Sequence, residues 1–182
     1  AGRAAHHAVD LRAGGRVEGE HGAGVGAGAQ VELRITLSPI SAAQAQIDQA
    51  NEVGGKTFDQ VRAETAAAWN ARLGAVDVTA STKSDPDGTL TKLFYTHLYR
   101  MFAVPTNATS TSGTYRGVDG AVHQVDDYTY YDGWSSWDDF RKYSVIAYVD
   151  PTLYRDMIQS LITLFADQNA SGAANLASLV QG

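Results

Sequence analysis

The chain has 182 residues, room for one domain with a sizeable core, and is 44% hydrophobic and 19% charged. Its formal net charge of -6 argues against a nucleic-acid partner, whose phosphates need a basic surface. No run of eighteen apolar residues is present to span a membrane, and the lack of cysteine removes disulfides, thiolate metal sites and cysteine nucleophiles.

Residues 1–30 hold eight of the eighteen glycines, eight alanines and three of the five histidines. "GEHGAGVGAGAQ" follows neither a strand nor a helix period, so an irregular segment is expected. His6, His7 and His21 lack a second ligand pair at helical spacing and suggest adventitious metal binding at most. The first residues carry no apolar signal core and no initiator Met, which reads as a cut or processed end. The triplets at Asn107 and Asn169 have the form of glycosylation acceptors, a form that also arises often by chance.

"QVELRITLSP" (30–39) alternates, with Val31, Leu33, Ile35 and Leu37 on one face, and predicts a half-buried strand stopped by Pro39. Ser41 then caps a short helix ending before Gly54-Gly55. Thr57 with Gln60 forms a capping box for a second helix, whose Phe58, Val61, Thr65, Ala68, Trp69 and Leu73 share a face and whose stop is Gly74. A short strand or extended piece (75–80) and a polar loop, "STKSDPDG", follow. From Thr89 a third helix carries Leu90, Leu93, Phe94, His97, Leu98 and Met101 as its apolar stripe, with His97 expected as a hydrogen-bonded core residue. Pro105 ends it. "TYRGVDGAVHQV" predicts two short extended runs around Gly117 and Gly120. Residues 138–149 read as a helix. Asp150-Pro151 supplies a cap and first-turn proline for another, buried through Leu153, Met157, Leu161, Leu164 and Phe165.

The stretch between, "DDYTYYDGWSSWDDFRKY" (126–143), carries the chemistry. Tyr128, Tyr130, Tyr131, Trp134, Trp137 and Phe140 alternate with five aspartates, and unpaired buried charge is expensive, so these rings cannot all face one core. A loop of this composition suits a ligand with apolar faces and polar edges, such as a sugar. Asp138 and Arg141, three apart on a helix, share a face and can bracket a vicinal diol, one accepting and one donating. Other readings stand beside this one. The aspartates could form a calcium loop, although the regular spacing with its closing Glu is missing. Asp138 could serve only the helix dipole, and Trp134 and Trp137 could be core anchors.

Four segments together resemble glycoside hydrolase family 92, the calcium-dependent exo-acting α-mannosidases. They are the stretch from "LSPISAAQ" to "GAVDV", "KLFYTHLYRMF", "GTYRGVDGAVHQV" and "WSSWDDFRKY", which share the family's order and spacing from about Ile35 to Gly172. The resemblance implies a mainly α fold with some β: residues 1–38 ending an N-terminal β-sandwich, 39–84 a helical linker, and 85–182 beginning an (α/α)6 barrel. Residues 1–30 do not resemble the sandwich strands. The implied reaction removes terminal α-linked mannose with inversion, helped by Ca2+. Asp138 matches the family's mannose-binding aspartate, and Trp137 and Arg141 match the neighbours that shape and charge-balance that subsite. Tyr130 and Asp139 depart from the family's usual residues. The general acid, the base and the calcium ligands have no counterpart in residues 1–182, so the expected partners are mannose-containing glycans and the rest of the same polypeptide, and the expected place is outside the cell or on its surface. This segment alone would be inactive. The alternative is a noncatalytic carbohydrate-binding or structural helical module.

Overall fold

The computed structural model describes residues 33–171. They are mainly helical with short strands, in the order α1 (Ala42–Val53), α2 (Phe58–Leu73), α3 (Thr89–Met101), β1 (Thr106–Asn107), β2 (Thr114–Arg116), β3 (Val122–Gln124), β4 (Tyr131–Asp132), α4 (Ser136–Val149) and α5 (Pro151–Ser171).

The helix boundaries follow local chemistry. The Ser41 hydroxyl accepts the Gln44 N–H and starts α1. Thr57 and Gln60 exchange side-chain and backbone bonds at the start of α2, the reciprocal pairing the sequence predicts. Gly88 in a left-handed conformation precedes α3, whose first N–H groups at Leu90 and Thr91 are taken by the carboxylate of Asp85. Asp150 accepts the Leu153 N–H and turns α4 directly into α5.

The core lies where α4, α5 and the loop before α4 meet. Tyr131, Trp134, Ile146, Leu153, Met157 and Leu164 are buried together, with Phe102, Tyr143, Tyr154 and Leu161 around them. Of the face predicted for α5, Phe165 lies outward instead, 41% exposed. Two antiparallel ribbons border this core. β1 pairs with β4, Asn107 opposite Tyr131, and β2 pairs with β3, Tyr115 opposite His123. Two polar pins fix α1 to the loop ahead of β2: Asp48 accepts both the backbone and hydroxyl of Thr111, and Asn51 donates to the same hydroxyl. Arg116 reaches back from β2 to the carbonyls of Pro39 and Ile40. At the far end Arg72 of α2 meets Asp150 at 3.0 Å and lies over the Phe102 ring.

Three expectations are corrected. The strand over 30–39 does not form at residues 33–38, where Ile35 and Leu37 are exposed. A strand needs a ladder partner, and this run has none among the described residues; Arg34 instead donates to the carbonyls of Val53 and Lys56 beside α1. The apolar stripes of α2 and α3 form as helical faces but stay largely uncovered. No residue of α2 is buried and only Leu98 of α3 is. The two helices touch through Trp69 and Tyr99, whose ring centroids are 4.4 Å apart. His97 accordingly stands exposed rather than in a core. The piece at 75–80 is extended without a ladder, held by the Tyr95 hydroxyl, which donates to Val76 O and accepts from Val78 N. His6, His7 and His21 lie outside the described residues.

Candidate functional site

The aromatic–acidic stretch divides cleanly. Tyr130, Tyr131 and Trp134 go inward and are buried, whereas Trp137 and Phe140 remain 68% and 56% exposed. The division follows from the helix. α4 packs on α5 through Ile146 and Tyr143, and Trp137 lies on the opposite side of the helix from Ile146 at 100° per residue. The inward rings form a stack: Tyr130 lies on Tyr115 with centroids 3.9 Å apart, and Tyr115 lies on His123 at 5.3 Å. Burial pushes the phenols of Tyr115 and Tyr130 well above their usual range, and the hydrogen bond from Tyr115 to Asp167 adds to the shift of the former. These tyrosines are neutral donors at any physiological pH.

Outside the stack, the start of α4 presents Trp137, Asp138 and Arg141 together on an exposed edge. Asp138 makes no side-chain hydrogen bond or ion pair with any described residue. Arg141 does not close on it. Its guanidinium lies over the Phe140 ring, 5.2 Å from the centroid. The shared face expected from their spacing is present, with the charges left apart and facing solvent. Such an edge can do what neither charge alone can. The indole offers a flat apolar surface, the carboxylate accepts from hydroxyls, and the guanidinium donates to them.

The remaining aspartates of the stretch are occupied or scattered. Asp139 pairs with Lys142 at 2.8 Å on the side of α4 turned from Trp137. One Asp132 oxygen accepts the Gly133 N–H. Among the described residues no three His, Asp or Glu side chains converge to hold a metal ion. The calcium-loop reading of this stretch thus finds no cluster of carboxylates among the described residues.

Sequence reasoning missed two groupings. One is the pair of Asp119 and His123, whose Nε2 sits 2.9 Å from the carboxylate across the β2–β3 turn. It packs so closely over Gly117 that a Cβ there would lie 2.6 Å from Asp119 and 2.8 Å from His123, so a side chain at this position would push the pair aside. The signal was the "GVDGAVH" spacing, read only as a turn. The other is a polar row along α5 facing the aromatic loop. Its residues, Arg155, Asp156, Ser160 and Thr163, gave no signal beyond ordinary helix-surface polarity.

The comparisons with known proteins decide what carries this edge. The model of the glycosyl hydrolase family 92 catalytic domain matches residues 43–178. The chain belongs to glycosyl hydrolase family 92. Among solved structures it is similar to the GH92 family glycosyl hydrolase ccman5, at 62% sequence identity and a TM-score of 0.79 over 83% of this chain and 20% of that one. It is also similar to the family GH92 α-mannosidase BT3965 from Bacteroides thetaiotaomicron, at 25% identity and a TM-score of 0.64 over 71% of this chain and 17% of that one. A third is the family GH92 inverting mannosidase BT2199 from Bacteroides thetaiotaomicron VPI-5482, at 26% identity and a TM-score of 0.66 over 79% of this chain and 19% of that one. No curated protein matches. The chain thus spans about a fifth of the length of the family 92 structures it resembles. Among the described residues no helix is long and apolar enough to cross a membrane.

Proposed function

We propose that this chain forms part of the catalytic domain of an enzyme that removes terminal α-linked mannose from glycans, and that the Trp137–Asp138–Arg141 edge holds the sugar to be released. The observation that carries the reading is the state of Asp138. Its carboxylate, like that of Asp126, has no side-chain partner among the described residues, and it stands at the start of α4 beside an exposed indole and a guanidinium that no carboxylate pairs. Two of the similar structures are described as α-mannosidase or mannosidase, and BT3965 is also described in complex with mannoimidazole, which supports mannose as the sugar.

In this reading the indole of Trp137 stacks on the C–H face of the ring, Asp138 accepts from two hydroxyls, and Arg141 donates to one. These contacts orient the glycosidic bond; they do not cleave it. Cleavage with inversion needs a carboxylic acid to protonate the leaving oxygen and a carboxylate, roughly 6.5–9.5 Å away, to activate water on the opposite face. Both groups belong to the rest of the intact enzyme, as do the calcium ligands. A β-sandwich and an (α/α)6 barrel complete its fold, and it works outside the cell or on its surface.

The test is hydrolysis of 4-nitrophenyl α-mannoside by the intact enzyme, followed by proton NMR. β-Mannose should appear first, and a calcium chelator should suppress turnover. Failure to cleave any α-mannoside would overturn the reading, and α-mannose as first product would overturn its inverting course.

A further inference from the structure

The loop that leads into α4 is held along its length by side chains of α5. Arg155 donates to the carbonyl of Asp127 at 3.0 Å, the Tyr128 hydroxyl meets Thr163 at 3.0 Å, Asp156 accepts the Thr129 N–H at 3.1 Å, and Ser160 accepts the Tyr131 N–H at 2.9 Å. Ser160 is fully buried and Asp156 is 7% exposed. The Ser160 hydroxyl donates to the carbonyl of Asp156 at 2.6 Å, with the Thr129 carbonyl at 3.3 Å as the weaker alternative. Within five residues, then, backbone or side-chain groups at Asp127, Tyr128, Thr129 and Tyr131 are each tied to one helix.

The start of α4 is held less closely to α5. Ser135 precedes it without a side-chain cap bond; the Ser135 carbonyl accepts from Asp138 and Asp139, and the Asp139–Lys142 ion pair braces the first turn from within α4. Between the loop and that turn stand Tyr131 and Trp134, both buried in the α4–α5 core. A shift of the loop would therefore pass through these rings to Trp137 and Asp138.

We propose that Asp156 and Ser160 are positioning residues for the sugar-holding edge. Through the backbone of Thr129 and Tyr131 they set where α4 begins, and so where Trp137 and Asp138 stand. The inference rests on the mannosidase reading above. A small displacement of a binding group is enough to matter, since a misplacement of about 1 Å can cost about 100-fold in rate.

The experiment measures KM and kcat for 4-nitrophenyl α-mannoside in the intact enzyme carrying Ser160→Ala, Asp156→Asn, Arg155→Ala or Asp138→Asn. Loss of folded protein lowers apparent kcat and leaves KM unchanged; displacement of the sugar-holding edge raises KM. For Ser160→Ala and Asp156→Asn a rise in KM of about tenfold is expected, with circular dichroism unchanged. Arg155→Ala, a largely exposed change whose folding is checked by the same circular dichroism, should give a smaller rise, about threefold. If the buried variants do not fold, Arg155→Ala decides alone. Unchanged KM in the α5 variants, with KM raised by Asp138→Asn, would overturn the positioning role and leave the mannosidase reading standing. Unchanged KM in Asp138→Asn as well would overturn the placement of the sugar on this edge, and the positioning role with it, while the cleavage itself keeps the mannosidase reading.

Discussion

At the scale of single residues, the chain shows how one carboxylate differs from another by its neighbours. Asp138 has none, Asp139 has Lys142, and Asp119 has His123 and the Ala121 N–H. The hydrogen bond from His123, and then that from Ala121, hold the Asp119 carboxyl below the ordinary carboxylate range of about 4. A carboxyl whose pKa is lower folded than unfolded stabilises the fold above the unfolded value. That stabilisation is lost as pH falls through the folded value. The β2–β3 turn should therefore stay braced down to pH 4 and loosen only below it. The amide proton shift of Ala121, followed by NMR, should titrate with a midpoint below that of an unstructured aspartate and should lose this titration in Asp119→Asn. A midpoint at the ordinary value would contradict the brace. The two carboxylates illustrate different uses. Asp119 holds its turn together, whereas the acceptor capacity of Asp138 is left unused within the described residues.

At the scale of elements, the α4–α5 pair carries the core. Leu164 is 1% exposed and lies among Trp134, Ile146 and Met157, so Leu164→Ala should cost about 2–5 kcal/mol, read as a lowered urea midpoint with the slope unchanged. A cost below about 1 kcal/mol would mean that this pair is not the centre of the fold. The helices themselves were legible in the sequence because their ends are local events. Ser41, the Thr57–Gln60 box and Asp150-Pro151 each act within four residues, and each does in the structure what its chemistry predicts, while α2 does end at Gly74 but in a right-handed conformation that needs no glycine. What covers a helix is not local. The stripes of α2 and α3 share their faces as their spacing requires, yet only Leu98 is buried, and His97 stands in solvent. Alternation at 33–38 likewise specifies two faces but not a partner strand, and without one the run is irregular. The polar row on α5 was invisible for the opposite reason. Serine and aspartate on a helix read as solvent-facing until the loop that they hold is placed against them.

At the scale of the whole molecule, the chain spans about a fifth of the family 92 structures that it resembles, and large apolar side chains stand exposed on α3 and α4: Leu90, Leu93, Phe94, Val145 and Tyr148. From composition alone the aromatic–acidic stretch was legible as one whose rings divide between inside and outside, since five aspartates and six rings cannot share one interior. Which rings turn inward was not legible, because that depends on how α4 lies on α5. Tyr130, Tyr131 and Trp134 anchor the stretch, and Trp137, Asp138 and Arg141 are what it presents. If those three hold the mannose, the sugar's hydroxyls lose charged hydrogen bonds when Asp138 is neutralised, each worth about 1.5–3 kcal/mol. The most direct test is kcat/KM of the intact enzyme for 4-nitrophenyl α-mannoside, compared between the natural protein and Asp138→Asn. A loss of about 100-fold or more is expected. Equal values in the two proteins would contradict the placement of the sugar on this edge.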